Sequence, residues 1–143
     1  MFKHILLATD GSDLSRMAME AAIGFVKADG ARLTAYTCME EYPYMASGDA
    51  GHPRRKAFEE QEAERARARL EEVVAAARAA GVPCATDMTA TVPYKGIIDA
   101  AARHQCDVIF MASHGRRGLD ALLVGSETQK VLTHCRVPVL VYR

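Results

Sequence analysis

At 143 residues, half of them hydrophobic, the chain has the size and apolar content of one compact domain, residues 1–143, with a core of its own. Lysine plus arginine balance aspartate plus glutamate at 18 each, so no overall field favours nucleic acid or an anionic membrane, and any anion site has to be local. No apolar run approaches the ~20 residues that span a bilayer and the N-terminus lacks a signal-peptide pattern, so a cytoplasmic protein is expected.

In chain order, 3–9 is a short apolar run closed by Asp10-Gly11-Ser12, which reads as a buried strand and a turn, with Ser12 able to cap a helix. Leu14, Met17, Ala18, Ala21 and Phe25 recur at helical spacing, which predicts a helix over 13–28 stopped by Asp29-Gly30. Residues 33–39 are rich in β-branched and aromatic side chains and read as a second strand. Over 40–55, Pro43, Gly48, Gly51 and Pro53 break every period, while Tyr42, Tyr44 and Met45 leave apolar surface unassigned. A loop of that length is either a lid or a plain connector, with Arg54, Arg55 and Lys56 in an open stretch.

The run 56–80 is dense in Ala, Glu and Arg, with Ala66, Leu70, Val73, Val74 and Ala77 on one face, and Gly81 and Pro83 beyond its end. The alternation of Arg65, Arg67 and Arg69 with glutamates reads as a solvated, salt-bridged face. A third strand over 84–88, a turn over 89–93 and a helix over 94–103 with Ile97, Ile98 and Ala101 inward come next. Residues 108–112 are the most continuously apolar run in the chain and predict a buried central strand. A helix over 126–133 and a strand over 137–142 complete the pattern βαβαβαβαβ, an α/β open parallel sheet with helices on both faces. Cys38, Cys84, Cys106 and Cys135 have neither zinc spacing nor the density of a disulfide framework.

Between the fourth strand and the last helix lies Ser113-His114-Gly115-Arg116-Arg117-Gly118, and Gly125-Ser126 opens that helix. A glycine-rich turn beside a helix N-terminus gathers free backbone N–H groups where an anion can bind, and the arginines balance its charge. The same residues also suit a purely structural loop, and Ser126-Glu127-Thr128-Gln129 fits a capping box with Ser126 as N-cap.

The loop spacing Ala112-x2-Gly115-x9-Gly125-Ser126, the opening Ile5-Leu6-Leu7-Ala8-Thr9-Asp10-Gly11-Ser12 and the closing Val137-Pro138-Val139-Leu140-Val141 resemble the universal stress protein family over nearly the whole chain. Nucleotide-binding members carry Gly-x2-Gly-x9-Gly-Ser/Thr there, and Ala112 stands in place of the first glycine. The resemblance implies the strand order 3-2-1-4-5 of an adenine nucleotide alpha hydrolase-like, Rossmann-like sheet, whose switch point between strands one and four is where ligands bind.

It further implies ATP, with Mg2+ or Mn2+, as the ligand. Ala8, Thr9 and Asp10 would contact base or ribose, Thr37 the adenine edge, and Met111 and Ala112 the end of strand four. His114, Gly115 and Arg116 would meet ribose and phosphates, and Gly125, Ser126, Glu127 and Thr128 the triphosphate. A homodimer through the last strand, with Val137 at its start and Tyr142 at its end, is implied as well.

The function expected is a cytoplasmic stress-response module that binds ATP and signals by changing shape or partner. A dimeric stress protein without nucleotide is the alternative, favoured by Ala112 and by the charge of Glu127 near a polyphosphate. An ATP-using enzyme is the third, since Thr9-Asp10-Gly11-Ser12-Asp13 faintly echoes the Ser-Gly-Gly-x-Asp-Ser pyrophosphatase loop. At most slow hydrolysis is expected, because His114 has no evident nucleophile or orienting group and neither a phosphate-loop nor a dinucleotide glycine motif is present.

Overall fold

A computed structural model describes residues 1–43, 51–115 and 124–143. In chain order the elements are β1 (His4–Ala8), α1 (Asp13–Asp29), β2 (Arg32–Met39), α2 (Pro53–Ala79), β3 (Cys84–Ala90), α3 (Pro93–Arg103), β4 (Val108–Ala112), α4 (Ser126–His134) and β5 (Val139–Tyr142). The strands form one parallel sheet in the order β3-β2-β1-β4-β5, as the resemblance implied.

β1 and β4 are buried over their full length, which explains their unbroken apolar runs. Alternate side chains of β1 serve opposite faces: Ile5 and Leu7 join a core with α1 and α2, whereas Leu6 and Ala8 join Ile97 and Val131 of α3 and α4. Each large apolar side chain so enclosed stabilises the fold by about 1.5–3 kcal/mol. The carboxylate of Asp107 accepts the amides of Lys3 at 2.8 Å and His4 at 3.0 Å, and so aligns the start of β1 with β4.

Several boundaries and faces differ from the sequence reading. In α1 the buried residues are Ser15, Ala18, Met19, Ala22, Ile23 and Val26, while Met17 is 49% exposed. The inward face is thus turned by about one position, or ~100°, from the predicted one. α2 begins at Pro53, which fits the first helical turn, with His52 as N-cap accepting the Arg54 amide. Arg54 and Arg55 therefore belong to a helix and not to an open stretch. β3 runs on to Ala90, and β5 starts only at Val139.

The helix face read as solvated also buries two charges, Glu62 at 4% and Arg69 at 9% exposure. Other charges on α2 do form exposed pairs, such as Arg55 with Glu59 and Arg67 with Glu64. Among the described residues no helix is long and apolar enough to cross a membrane.

Candidate functional site

The sheet order reverses between β1 and β4, so the chain leaves those two strands in opposite directions and opens a crevice at their carboxyl ends. The crevice has a volume of about 680 Å3. One wall is the rim after β1, Ala8, Thr9 and Asp10, held by its own side chains. Asp10 Oδ1 accepts the Ser12 amide at 3.0 Å, and the Ser12 hydroxyl accepts the Ser15 amide at 3.2 Å as the cap of α1. The Thr9 hydroxyl lies 3.2 Å from that of Ser15.

The facing wall is the end of β4 with the glycine turn, Met111, Ala112, His114 and Gly115, continued by Gly125, Ser126, Glu127 and Thr128. The two walls meet where the Asp10 carboxylate fills the space that a β-carbon on Gly115 would need. Gly115 has no positive φ, so what it supplies is room. A β-carbon on Gly125 would come within 3.2 Å of the Ser113 carbonyl oxygen and of His114 Cα. Gly125 N–H donates to that carbonyl at 2.6 Å, so the turn is closed backbone to backbone. Thr128 is buried and its hydroxyl donates to the Ala112 carbonyl at 3.1 Å. Ala112 itself ends β4 in register with Tyr142, an extended conformation that its methyl group tolerates.

The capping box is not formed. Gly125 is the N-cap of α4, no side chain among the described residues caps it, and Gln129 donates instead to the Val124 carbonyl at 2.8 Å. The Ser126 hydroxyl is thereby released from a capping role and lines the crevice. Glu127 is accounted for differently. Its carboxylate accepts the Tyr94 amide at 2.9 Å, in the first turn of α3, and pairs with Lys130 at 3.0 Å. α3 has no side-chain cap of its own, so a residue of α4 supplies the acceptor and the negative charge that a helix N-terminus favours.

Thr37 does not line the crevice: it is buried, and its hydroxyl donates to the Thr9 carbonyl at 2.8 Å. It steadies the β1 rim from behind. Arg116, with Arg117 and Gly118, lies outside the described residues, as do Tyr44 and Met45 of the suggested lid. Tyr42 packs edge-on against Phe58 of α2, with ring centroids 5.5 Å apart, and is not among the crevice residues.

The remaining wall was foreseen only where it takes in Glu40, at the start of the suggested lid. Cys38 and Met39 at the end of β2, Glu40 just beyond it, and Thr91, Val92 and Pro93 where β3 leads into α3, also line the crevice. The signal was their position, since each lies at or just beyond the end of a strand on the carboxyl rim where such sheets bind ligands. Cys38 donates to the Thr91 carbonyl at 3.1 Å, and burial pushes its thiol above the ordinary range.

Taken together, Val92, Ile97 and Met111 offer an apolar surface, and the first turn of α4, which no side chain among the described residues caps, offers amides. That pairing suits a ligand with a flat apolar part and an anionic part. His114 Nδ1 lies 3.2 Å from the Ser113 hydroxyl, which is buried, so this pair presents no exposed nucleophile.

The family model described as the universal stress protein family matches residues 1–143. A universal stress protein of Thermus aquaticus, encoded in the QAH/OAS sulfhydrylase 3′ region, is 36% identical, and the match covers 100% of both chains. Among solved structures, UspA from Lactobacillus plantarum has a TM-score of 0.88 at 24% identity, covering 99% of this chain and 97% of that one. A universal stress protein in complex with cAMP has a TM-score of 0.73 at 23% identity, over 99% of this chain and 97% of that one. A family member from Arabidopsis thaliana with AMP bound has a TM-score of 0.66 at 17% identity, over 98% of this chain and 90% of that one.

Proposed function

The chain belongs to the universal stress protein family, and from that premise we propose that its crevice binds an adenine nucleotide, ATP with a divalent ion, as the signal of a homodimeric, cytoplasmic stress-response regulator. The fit of the Asp10 carboxylate against Gly115 supports this most, because it brings the β1 rim and the glycine turn together at the mouth of one crevice. The cAMP and AMP complexes of similarly folded family members support adenine nucleotides as the ligand class.

In this reading the base and ribose lie against Ala8, Thr9, Asp10 and the apolar Val92, Ile97 and Met111. The phosphates face His114, Gly115 and the amides that open α4, with Arg116 following in sequence. Among the described residues no group of three or more His, Cys, Asp or Glu side chains is disposed to hold a metal ion. A divalent ion therefore travels with the phosphates, and Asp10 is the carboxylate at hand beside Gly115.

A second reading, a dimer without nucleotide, draws on the carboxylates of Asp10, Glu40, Glu41 and Glu127, which all line the crevice and oppose a polyphosphate. Radiolabelled ATP separates the readings. Retention without turnover is the expected result; release of phosphate or pyrophosphate would make the protein an enzyme, and neither outcome would leave the nucleotide-free dimer.

A further inference from the structure

α2 carries two ionisable side chains on its inner face, among Ala66, Leu70, Val73 and Ala77. Charges are taken out of water only where partners receive them, and the contacts of these two run towards the crevice. Glu62 Oε2 accepts the amide of Glu40 at 2.9 Å, one residue beyond β2, while Oε1 takes the Arg65 guanidinium at 3.3 Å. The stem of Arg69 passes beneath the turn after β1: its Cγ and Cδ lie 3.1 Å from where a β-carbon on Gly11 would stand.

Gly11 has φ +78°, so the turn is built on a conformation and a closeness that other residues do not share. The charges of Arg69 and Arg65 also act on Glu62. Burial alone would raise its carboxyl, but the Glu40 amide and the two arginines more than offset that and hold it below the ordinary range.

Neither Glu62 nor Arg69 lines the crevice, yet the segments they hold do: Glu40 is a lining residue, and Gly11 follows Asp10. The Tyr42 ring against Phe58 fixes the chain beyond Glu40 to the same helix. The geometry points to Glu62 and Arg69 as positioning residues of the nucleotide site, which set the backbone of Glu40 and of Gly11 from behind. This rests on the binding role proposed above and adds a helix that touches no part of the ligand.

The test compares wild type with Glu62→Gln, Glu62→Ala, Arg69→Met, Arg69→Ala and, as a control for lost stability alone, Val73→Ala. Magnesium ATP is titrated by calorimetry at a temperature where circular dichroism shows each variant folded. Glutamine keeps an acceptor for the Glu40 amide and methionine keeps a stem under Gly11, so both should stay within about threefold of wild type. Glu62→Ala, and Arg69→Ala, which removes the stem under Gly11, should each weaken binding by about tenfold or more, and Val73→Ala should leave it unchanged.

Losses in Glu62→Ala or Arg69→Ala no greater than in Val73→Ala would overturn the assignment of that residue. So would a tenfold loss in Glu62→Gln. If wild type takes up no nucleotide, the binding role fails, and amide hydrogen exchange still decides the positioning. The amides of residues 38–42 should exchange faster in Glu62→Ala and not in Glu62→Gln or Val73→Ala, and equal exchange in all of them defeats the inference.

Discussion

The carboxylate of Asp10 occupies the volume that a β-carbon on Gly115 would fill, although the two residues are brought together only by the pairing of β1 with β4. Even one methyl group at Gly115 must therefore turn the Asp10 carboxylate, whose other oxygen holds the Ser12 amide. Gly115→Ala is expected to weaken nucleotide binding by about tenfold, and Gly115→Val to abolish it, with the fold retained. Because the conflict is between two side-chain positions, Asp10→Gly combined with Gly115→Ala should lose less than the sum of the single changes. Calorimetry on the four proteins reads this coupling, and strict additivity would show that the contact is incidental.

A second close approach bears on stability. A β-carbon on Gly96 in α3 would overlap the hydroxyl of Tyr36, which is buried and lies 2.6 Å from the Thr89 hydroxyl. Gly96→Ala should therefore destabilise the fold by about 1–3 kcal/mol despite the better helix propensity of alanine. Tyr36→Phe in the same chain should recover part of that loss. Urea unfolding midpoints measure both, and a Gly96→Ala protein more stable than wild type would contradict the packing described.

The acid limb of stability should depend on Asp87. Burial alone would raise its carboxyl, but the Arg103 guanidinium and the His104 ring more than offset that and hold it below the ordinary carboxylate range. A group whose folded pKa is depressed stabilises the fold above its unfolded pKa, about 3.9 for aspartate, and loses that contribution as pH falls through the folded value. Asp87→Asn should accordingly be less stable than wild type at pH 7, with the difference shrinking below about pH 4. Thermal unfolding across pH 2–7 tests this; a constant difference would mean that the carboxylate's charge is not what matters.

Association should run through β5, the strand at one edge of the sheet. Val139 packs on the inner core, whereas Leu140 is 39% exposed and faces outward, so the latter is the cleaner site to perturb. Leu140→Lys should convert a dimer to a monomer in light scattering behind a sizing column, with little change in the circular dichroism spectrum. An unaltered dimer would place the contact elsewhere.

Some of this was legible residue by residue. The run Val108-Ile109-Phe110-Met111-Ala112 gave β4 to the residue, because a strand buried on both faces has no polar position to blur its limits. The strand order, in contrast, came from the resemblance, since periodicity says which face is inward and nothing about which strand is next. In α1 apolar residues stand on two adjoining faces, Met17 and Ala21 beside Met19 and Ile23, and only packing chose between them. The buried Glu62 and Arg69 escaped notice for a related reason: opposite charges three or four residues apart look the same on a solvated face as beneath a turn. Glu127 looked like a defect in a phosphate site because its partner, the Tyr94 amide, is 33 residues away and belongs to another helix.

The place of β1 in the middle of the sheet has a consequence for synthesis. β1 gains its first neighbour from β2 early, but its other edge stays bare until Val108–Ala112 has been made, about 100 residues later. Until then Ile5, Leu6 and Leu7 present an apolar strand with unpaired amides, the kind of surface that sticks to other nascent chains. A ribosome-stalled chain ending before residue 108 is therefore expected to bind chaperone or succumb to protease, and one extending past Tyr142 to resist both. The crevice shares this schedule: Asp10 is among the first residues to emerge and waits for nearly the whole chain before Gly115 arrives to face it.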